Sequence, residues 1–97
     1  MKAVFIAFDQ AHIEDIMFIL DRYNCRGFSR WDGISGRGSK SGEPHYGSHS
    51  WPSTNSAIIT IVDEEVLNPL LSSIKVLDEK RPKLGLRAFV WNIEKSI

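Results

Sequence analysis

A single cysteine, Cys25, is all that this 97-residue chain holds. That excludes an intrachain disulfide and removes the paired cysteine spacing of a structural zinc site. Long apolar runs are missing as well, and nothing approaches the ~20 residues that span a bilayer, so insertion into a membrane is not expected. The apolar stretch Ala3–Phe8 is interrupted by Asp9 before any cleavage-like site, which argues against a secretory leader. A cytoplasmic protein is the expectation. Internal repeats are absent, and no nucleophile–base pair or complete catalytic signature can be placed, so an enzyme is not expected.

What remains is a hydrophobic content of 42%. That suffices for one modest core in a single domain, residues 1–97, and self-association would add stability. The formal net charge is zero, yet the charges are segregated. Arg26, Arg30, Arg37 and Lys40 face one acid, Asp32, across residues 26–40; Lys80, Arg81, Lys83 and Arg87 face none across 80–87. The acids collect at 9–21 and 63–65, where they suit the first turns and exposed faces of helices. Two separate basic segments form an anion site if the fold joins them, and otherwise are two solvated loops.

Lys2–Phe8 is a nearly continuous apolar run with β-branched and aromatic residues, and predicts a buried strand. Asp9 offers a helix N-cap. Ile13, Ile16, Met17, Leu20 and Tyr23 then fall on one helical face, with Asn24 and Gly27 as stop signals. Residues 27–34 alternate as a second strand, and 56–62 form a third rich in β-branched residues. Asp63 caps a second helix with Val66, Leu67, Leu70, Leu71, Ile74 and Leu77 on its apolar face. Pro69 either bends that helix or begins it, with Asn68 ahead of it. Lys80–Leu84 is a basic turn, and 85–93 is the last strand. Strand, helix, strand, strand, helix, strand predicts an α+β, ferredoxin-like βαββαβ sandwich with both helices on one face of an antiparallel sheet. Trp31 and Trp91, with surplus apolar residues of strands one and three, predict that the other face is covered by further subunits.

Residues 35–55 join strands two and three. Hairpin loops normally run 2–5 residues, and structureless connections beyond about 12–15 are functional or disordered. This one is rich in Gly, Ser and Pro but also carries Arg37, Lys40, Glu43, His45, Tyr46, His49 and Trp51. Glu43, His45 and His49 are a candidate ligand set for a divalent transition metal such as zinc, copper or nickel. The alternative is two exposed imidazoles contacting water or a partner. Tyr46 and Trp51 are candidate partner contacts, although Trp51 equally fits a role pinning the loop base to its own sheet. His12 is expected to be a surface residue or cap. Cys25, at a helix end beside Arg26, is either a buried thiol or one with thiolate character.

Three segments carry a family resemblance: Ile34-Ser35-Gly36-Arg37-Gly38 opening the loop, Val62-Asp63-Glu64-Glu65-Val66 at a strand–helix junction, and Lys83-Leu84-Gly85-Leu86-Arg87-Ala88-Phe89-Val90. In this order and at these distances the chain resembles P-II signalling proteins, in a P-II-like branch apart from the nitrogen regulators. The resemblance implies a non-enzymatic regulator, a homotrimer with clefts between subunits. Those clefts hold an adenine nucleotide (ATP, ADP or AMP), and the long loop reports occupancy to a partner protein such as a membrane transporter. The nucleotide-binding residues it implies are Gly36, Arg37, Gly38, Lys83, Gly85, Leu86 and Arg87. Glycines at 36, 38 and 85 permit close backbone approach, and successive N–H groups in such turns make anion-binding concavities.

The nitrogen regulators place a glutamine where Lys40 stands and a lysine where Ser53-Thr54-Asn55-Ser56 stand, so 2-oxoglutarate sensing is not implied. Some P-II-like proteins accompany heavy-metal efflux systems, which makes a metal-binding module of a tolerance system the alternative reading. RNA binding ranks below both. The RNA-recognition fold shares this element order but stacks bases on aromatics of its first and third strands, and the third strand here has none.

Overall fold

The computed structural model describes all residues, 1–97. Its strands are β1 (Lys2–Asp9), β2 (Phe28–Ile34), β3 (Asn55–Val62) and β4 (Arg87–Asn92). Its helices are α1 (Ile13–Arg22) and α2 (Glu64–Lys80), and short 3₁₀ turns at Gln10–His12 and Pro82–Leu84 complete the elements. The strands form one sheet in the order β2-β3-β1-β4, every pair antiparallel. This is the expected βαββαβ sandwich.

Alternation along the two central strands separates the faces. Val4, Ile6 and Phe8 of β1 and Ile58 and Val62 of β3 enter one buried cluster with Ile16 and Leu20 of α1 and Leu70, Ile74 and Leu77 of α2. Both helices therefore cover the same sheet face. Thr60, fully buried among these residues, is tolerated because its hydroxyl donates to the Gly27 carbonyl at 2.8 Å. Between the helices, the Tyr23 and Ser73 hydroxyls share a hydrogen bond of 2.7 Å.

Two local details differ from the sequence reading and a third agrees with it. Asp9 does cap, its Oδ1 accepting from Ala11 N–H at 2.7 Å, but the helix it starts is the 3₁₀ turn preceding α1. The second helix begins at Glu64, so Pro69 lies inside it rather than at its start. Pro69 lies on the solvent-exposed face, where the Glu65 carbonyl that loses its partner can be hydrated. Asn24, in the left-handed region at φ 59°, ends α1 as expected of an asparagine there.

Away from the helices the sheet is apolar and uncovered. The register places Ile61, Ala3 and Trp91 in one row across β3, β1 and β4, and Ile59, Phe5 and Phe89 in the next. Trp31 stands beside Ala57 on the same face. Trp31, Ile61, Phe89 and Trp91 are each about half exposed. A contiguous apolar patch of this kind marks an interaction surface rather than a wetted face.

Candidate functional site

The β1 C-terminus, the β3 and β4 N-termini, both 3₁₀ turns and residues 35–54 gather at one end of the sandwich, because the antiparallel topology brings those chain ends together. The long connection is not structureless there. Gly36 and His45 form an antiparallel bridge, with Gly36 N–H donating to the His45 carbonyl at 3.0 Å and His45 N–H to the Gly36 carbonyl at 2.7 Å. A second closed turn follows, held by Gly47 N–H to the Ser53 carbonyl at 2.9 Å and Ser48 N–H to the Trp51 carbonyl at 2.9 Å. The connection is thus two small loops in series, 36–45 and 47–53.

The first loop packs on the basic turn. A Cβ placed on Gly38 would lie 2.5 Å from the Gly85 carbonyl oxygen and 2.6 Å from its Cα. One placed on Gly85 would lie 3.0 Å from Gly38 Cα, and Gly85 itself sits at φ 70°. Only a glycine pair lets the two backbones touch at this distance. Above the contact opens a cleft of about 340 Å³, lined by Ser39, Ser41, Gly42 and Glu43 on one wall and by Pro82, Lys83, Gly85 and Arg87 on the other. Apart from the Pro82 ring its lining is polar, charged or glycine. Lys83 is exposed, and neither it nor Arg87 forms an ion pair within the chain. Arg87 Nη1 donates to the Leu86 carbonyl at 2.7 Å, and both cations stand without a carboxylate partner beside hydroxyls and a glycine-bearing turn.

The two basic segments therefore do converge. Gly38, Lys83, Gly85 and Arg87 come together as expected, and they do so within one chain, where the sequence reading had them meet across a subunit boundary. Leu86 points the other way. It is buried in the core cluster, so only its backbone is available at the cleft. Gly36 lies behind the cleft, where a Cβ would meet Asn55 Nδ2 at 2.5 Å. Arg37 does not line the cleft; its guanidinium lies over the Tyr46 ring, 5.9 Å from the centroid. Ser39, Ser41, Gly42 and Pro82 were not anticipated. The Ser-Lys-Ser-Gly run was the signal available for them, since alternate residues of a short turn can present hydroxyls to one side.

The metal expectation meets a different arrangement. His45 is 3% exposed, with Nδ1 donating to Asn55 Oδ1 at 2.7 Å and Nε2 lying 3.3 Å from Asp9 Oδ2. Asp9 and Asn55 are paired directly across β1 and β3, so the sheet register builds the receptor into which His45 inserts. His49 is exposed in the second loop and Glu43 lines the cleft. No group of three His, Cys, Asp or Glu side chains is close enough to hold a metal ion. The Glu43–His45–His49 set is therefore corrected: its central member is a structural residue already committed to two partners.

The other residues singled out in the sequence take the following positions. His12 is buried, not on the surface, and burial lowers its pKa against the opposing pull of Asp15 and Asp9. Cys25 is buried, and burial raises its thiol pKa, so the thiolate reading is withdrawn. Trp51 is 43% exposed, and its backbone N–H donates to Ser48 Oγ at 3.1 Å in the second turn. Tyr46 is similarly exposed at 44%. Asp32, where a hydrogen bond from Ser56 and then Arg30 hold the carboxyl below its ordinary range, lies in a separate polar hollow with Gln10 and Thr54. No helix is long and apolar enough to cross a membrane.

No protein-family model and no curated protein matches the sequence. Solved structures do. CPII from Thiomonas intermedia, a nitrogen regulatory PII-like protein bound to ADP, AMP and bicarbonate, aligns with a TM-score of 0.76 at 27% identity, covering 95% of this chain and 84% of that one. CPII bound to ADP and bicarbonate gives 0.75 at 29% identity over the same shares, 95% and 84%. A PII-like signalling protein from Thermus thermophilus gives 0.65 at 25% identity over 95% and 85%. The P-II-like resemblance carried by the loop opening, the Asp63 junction and the basic turn holds across the fold as a whole.

Proposed function

We propose that this chain, a P-II-like signalling protein by its likeness over 95% of its length, binds the phosphates of an adenine nucleotide in the cleft between the 36–45 loop and the Pro82–Arg87 turn. It is a regulator, not an enzyme. The observation that carries the proposal is the Gly38–Gly85 contact, which sets unpaired Lys83 and Arg87 opposite Ser39 and Ser41. Similar proteins bound to ADP and AMP support the choice of nucleotide. Tyr46 and Trp51 follow the 36–45 loop directly in the chain, and both are exposed. Occupancy of the cleft therefore changes what Tyr46 and Trp51 present to a partner protein.

Calorimetric titration with ATP, ADP and AMP tests this reading. The wild-type protein is expected to bind, and Lys83→Ala and Arg87→Ala each to weaken binding roughly 10- to 100-fold, the worth of one hydrogen bond to a charged group. Absence of heat with all three nucleotides rejects the proposal.

The assembly we propose is a homotrimer closed through the uncovered sheet face. A row of Ile61, Ala3 and Trp91 beside one of Ile59, Phe5 and Phe89 is suited to burial against copies of itself. Phe89→Glu or Trp91→Glu, placing a charge in that surface, is expected to give monomers by light scattering. A wild-type protein that is monomeric at every concentration contradicts the assembly while leaving the cleft intact.

A further inference from the structure

Resting on the reading of the cleft as a phosphate site, we infer that Glu43 selects among phosphate chains: it disfavours long, uncomplexed ones and is reconciled to them by a divalent cation. Glu43 is the one acidic residue lining the cleft, on the wall facing Lys83 and Arg87. It forms no ion pair with either, nor with any other residue of the chain, so its charge is not cancelled before a ligand arrives.

Its backbone is held on both sides. Gly42 N–H donates to the Ser39 carbonyl at 3.2 Å, and beyond Glu43 come the buried Pro44 and His45, the latter fixed by Asn55 and Asp9. The carboxylate can swing on its own side-chain torsions, but the wall carrying it cannot retreat without undoing the Gly36–His45 bridge.

A phosphate held by Lys83 and Arg87 therefore shares the cleft with this carboxylate. One phosphate, with about two negative charges, is matched by the two cations, and the carboxylate is left in excess. Each further phosphate adds roughly one negative charge, and a second like charge a few ångströms away costs about tenfold in affinity in a partly solvated site. Magnesium reverses the sign of that contribution. It is held typically by one or two carboxylates together with substrate phosphates, with water completing an octahedron. Glu43 with the Ser39 and Ser41 hydroxyls supplies the protein's share of such oxygens, and the nucleotide supplies the rest.

The test is calorimetry of wild type and Glu43→Gln with AMP, ADP and ATP, each in EDTA and in excess magnesium. In EDTA the wild type is expected to bind AMP or ADP more tightly than ATP. Glu43→Gln should tighten ATP about tenfold and AMP by less than twofold. In magnesium the wild type should recover ATP binding, and the variant should gain little from the metal. Glu43→Ser provides a second variant with the same expected change in ratios, should the glutamine disturb the turn. If the wild type binds nucleotides but the AMP:ADP:ATP ratio and its magnesium response are unchanged in both variants, the role of Glu43 is refuted and the phosphate site stands. If the wild type binds none of the three, the site and the selectivity built on it are both refuted.

Discussion

Gly38→Ala is expected to abolish nucleotide binding, by at least about 100-fold, while leaving the sheet and helices folded. The added methyl would sit 2.5 Å from the Gly85 carbonyl oxygen and 2.6 Å from Gly85 Cα, distances real Cβ atoms do not adopt. Both obstacles are backbone, so no side chain can rotate away to make room. The loop must move off the turn by an ångström or so, and Ser39 and Ser41 move with it. A phosphate bridging the two walls then loses several charged or polar hydrogen bonds together, each worth about 1.5–3 kcal/mol when one partner is charged. The overpacking itself costs about 1–3 kcal/mol, within what a domain of this size survives.

Gly85→Ala should behave in the same way from the other side of the contact. Its Cβ would meet Gly38 Cα at 3.0 Å, and the residue must also hold φ 70°, a left-handed conformation that costs a non-glycine residue about 1–2 kcal/mol. Gly27→Ala is the control, because nothing lies within 4 Å of a Cβ there and its φ is not positive. The measurements are a nucleotide titration and a thermal melt for each variant. Full-strength binding by Gly38→Ala would mean the two walls need not touch, and the cleft as drawn would be wrong.

The frame of this protein was legible because its signals are local. Lys2–Phe8 is an apolar run with β-branched residues, Ile13 to Tyr23 recur at helical spacing, and Asp63 stands where a helix must start; each is decided by neighbours a few residues away. The cleft was half legible. Two basic segments and three glycines were visible, but what joins Gly38 to Gly85 is a contact across 47 positions, and no periodicity encodes it. His45 and His49 show the limit most plainly. Both are histidines in a polar loop, four positions apart, and residue chemistry alone makes them equivalent ligands. They part company because the β1–β3 register sets Asp9 beside Asn55, and that pairing offers a buried polar receptor to whichever loop residue reaches it. Burial of an imidazole is a decision made by the tertiary structure. The Glu43–His45–His49 metal set failed for that reason, and Glu43 was left free to line the cleft.

The same asymmetry predicts the largest stability effect in the loop. His45→Ala removes the side chain that meets Asp9 Oδ2 at 3.3 Å and Asn55 Oδ1 at 2.7 Å. Asp9, 3% exposed, is left with Ala11 N–H as its remaining partner in an enclosed site. Leaving buried acceptors such as Asp9 Oδ2 and Asn55 Oδ1 without their partner costs about 1–3 kcal/mol each, and water entering as the loop lifts recovers part of it, so a loss of about 3 kcal/mol is expected. For a domain of this size that lowers the melting temperature by more than about 10 °C. His49→Ala, an exposed residue with no hydrogen bond through its ring, should stay within about 0.5 kcal/mol of wild type. Limited proteolysis separates local from global consequences. In His45→Ala, cleavage should appear first between residues 36 and 45, because the backbone bridge to Gly36 loses the side-chain anchor that seats it, whereas His49→Ala should be cut no faster than wild type. Equal melting temperatures and equal cleavage for the two variants would show that the Asp9–Asn55 receptor does not hold the loop. The wall opposite Lys83 and Arg87 would then have to be fixed by the Gly38–Gly85 contact alone.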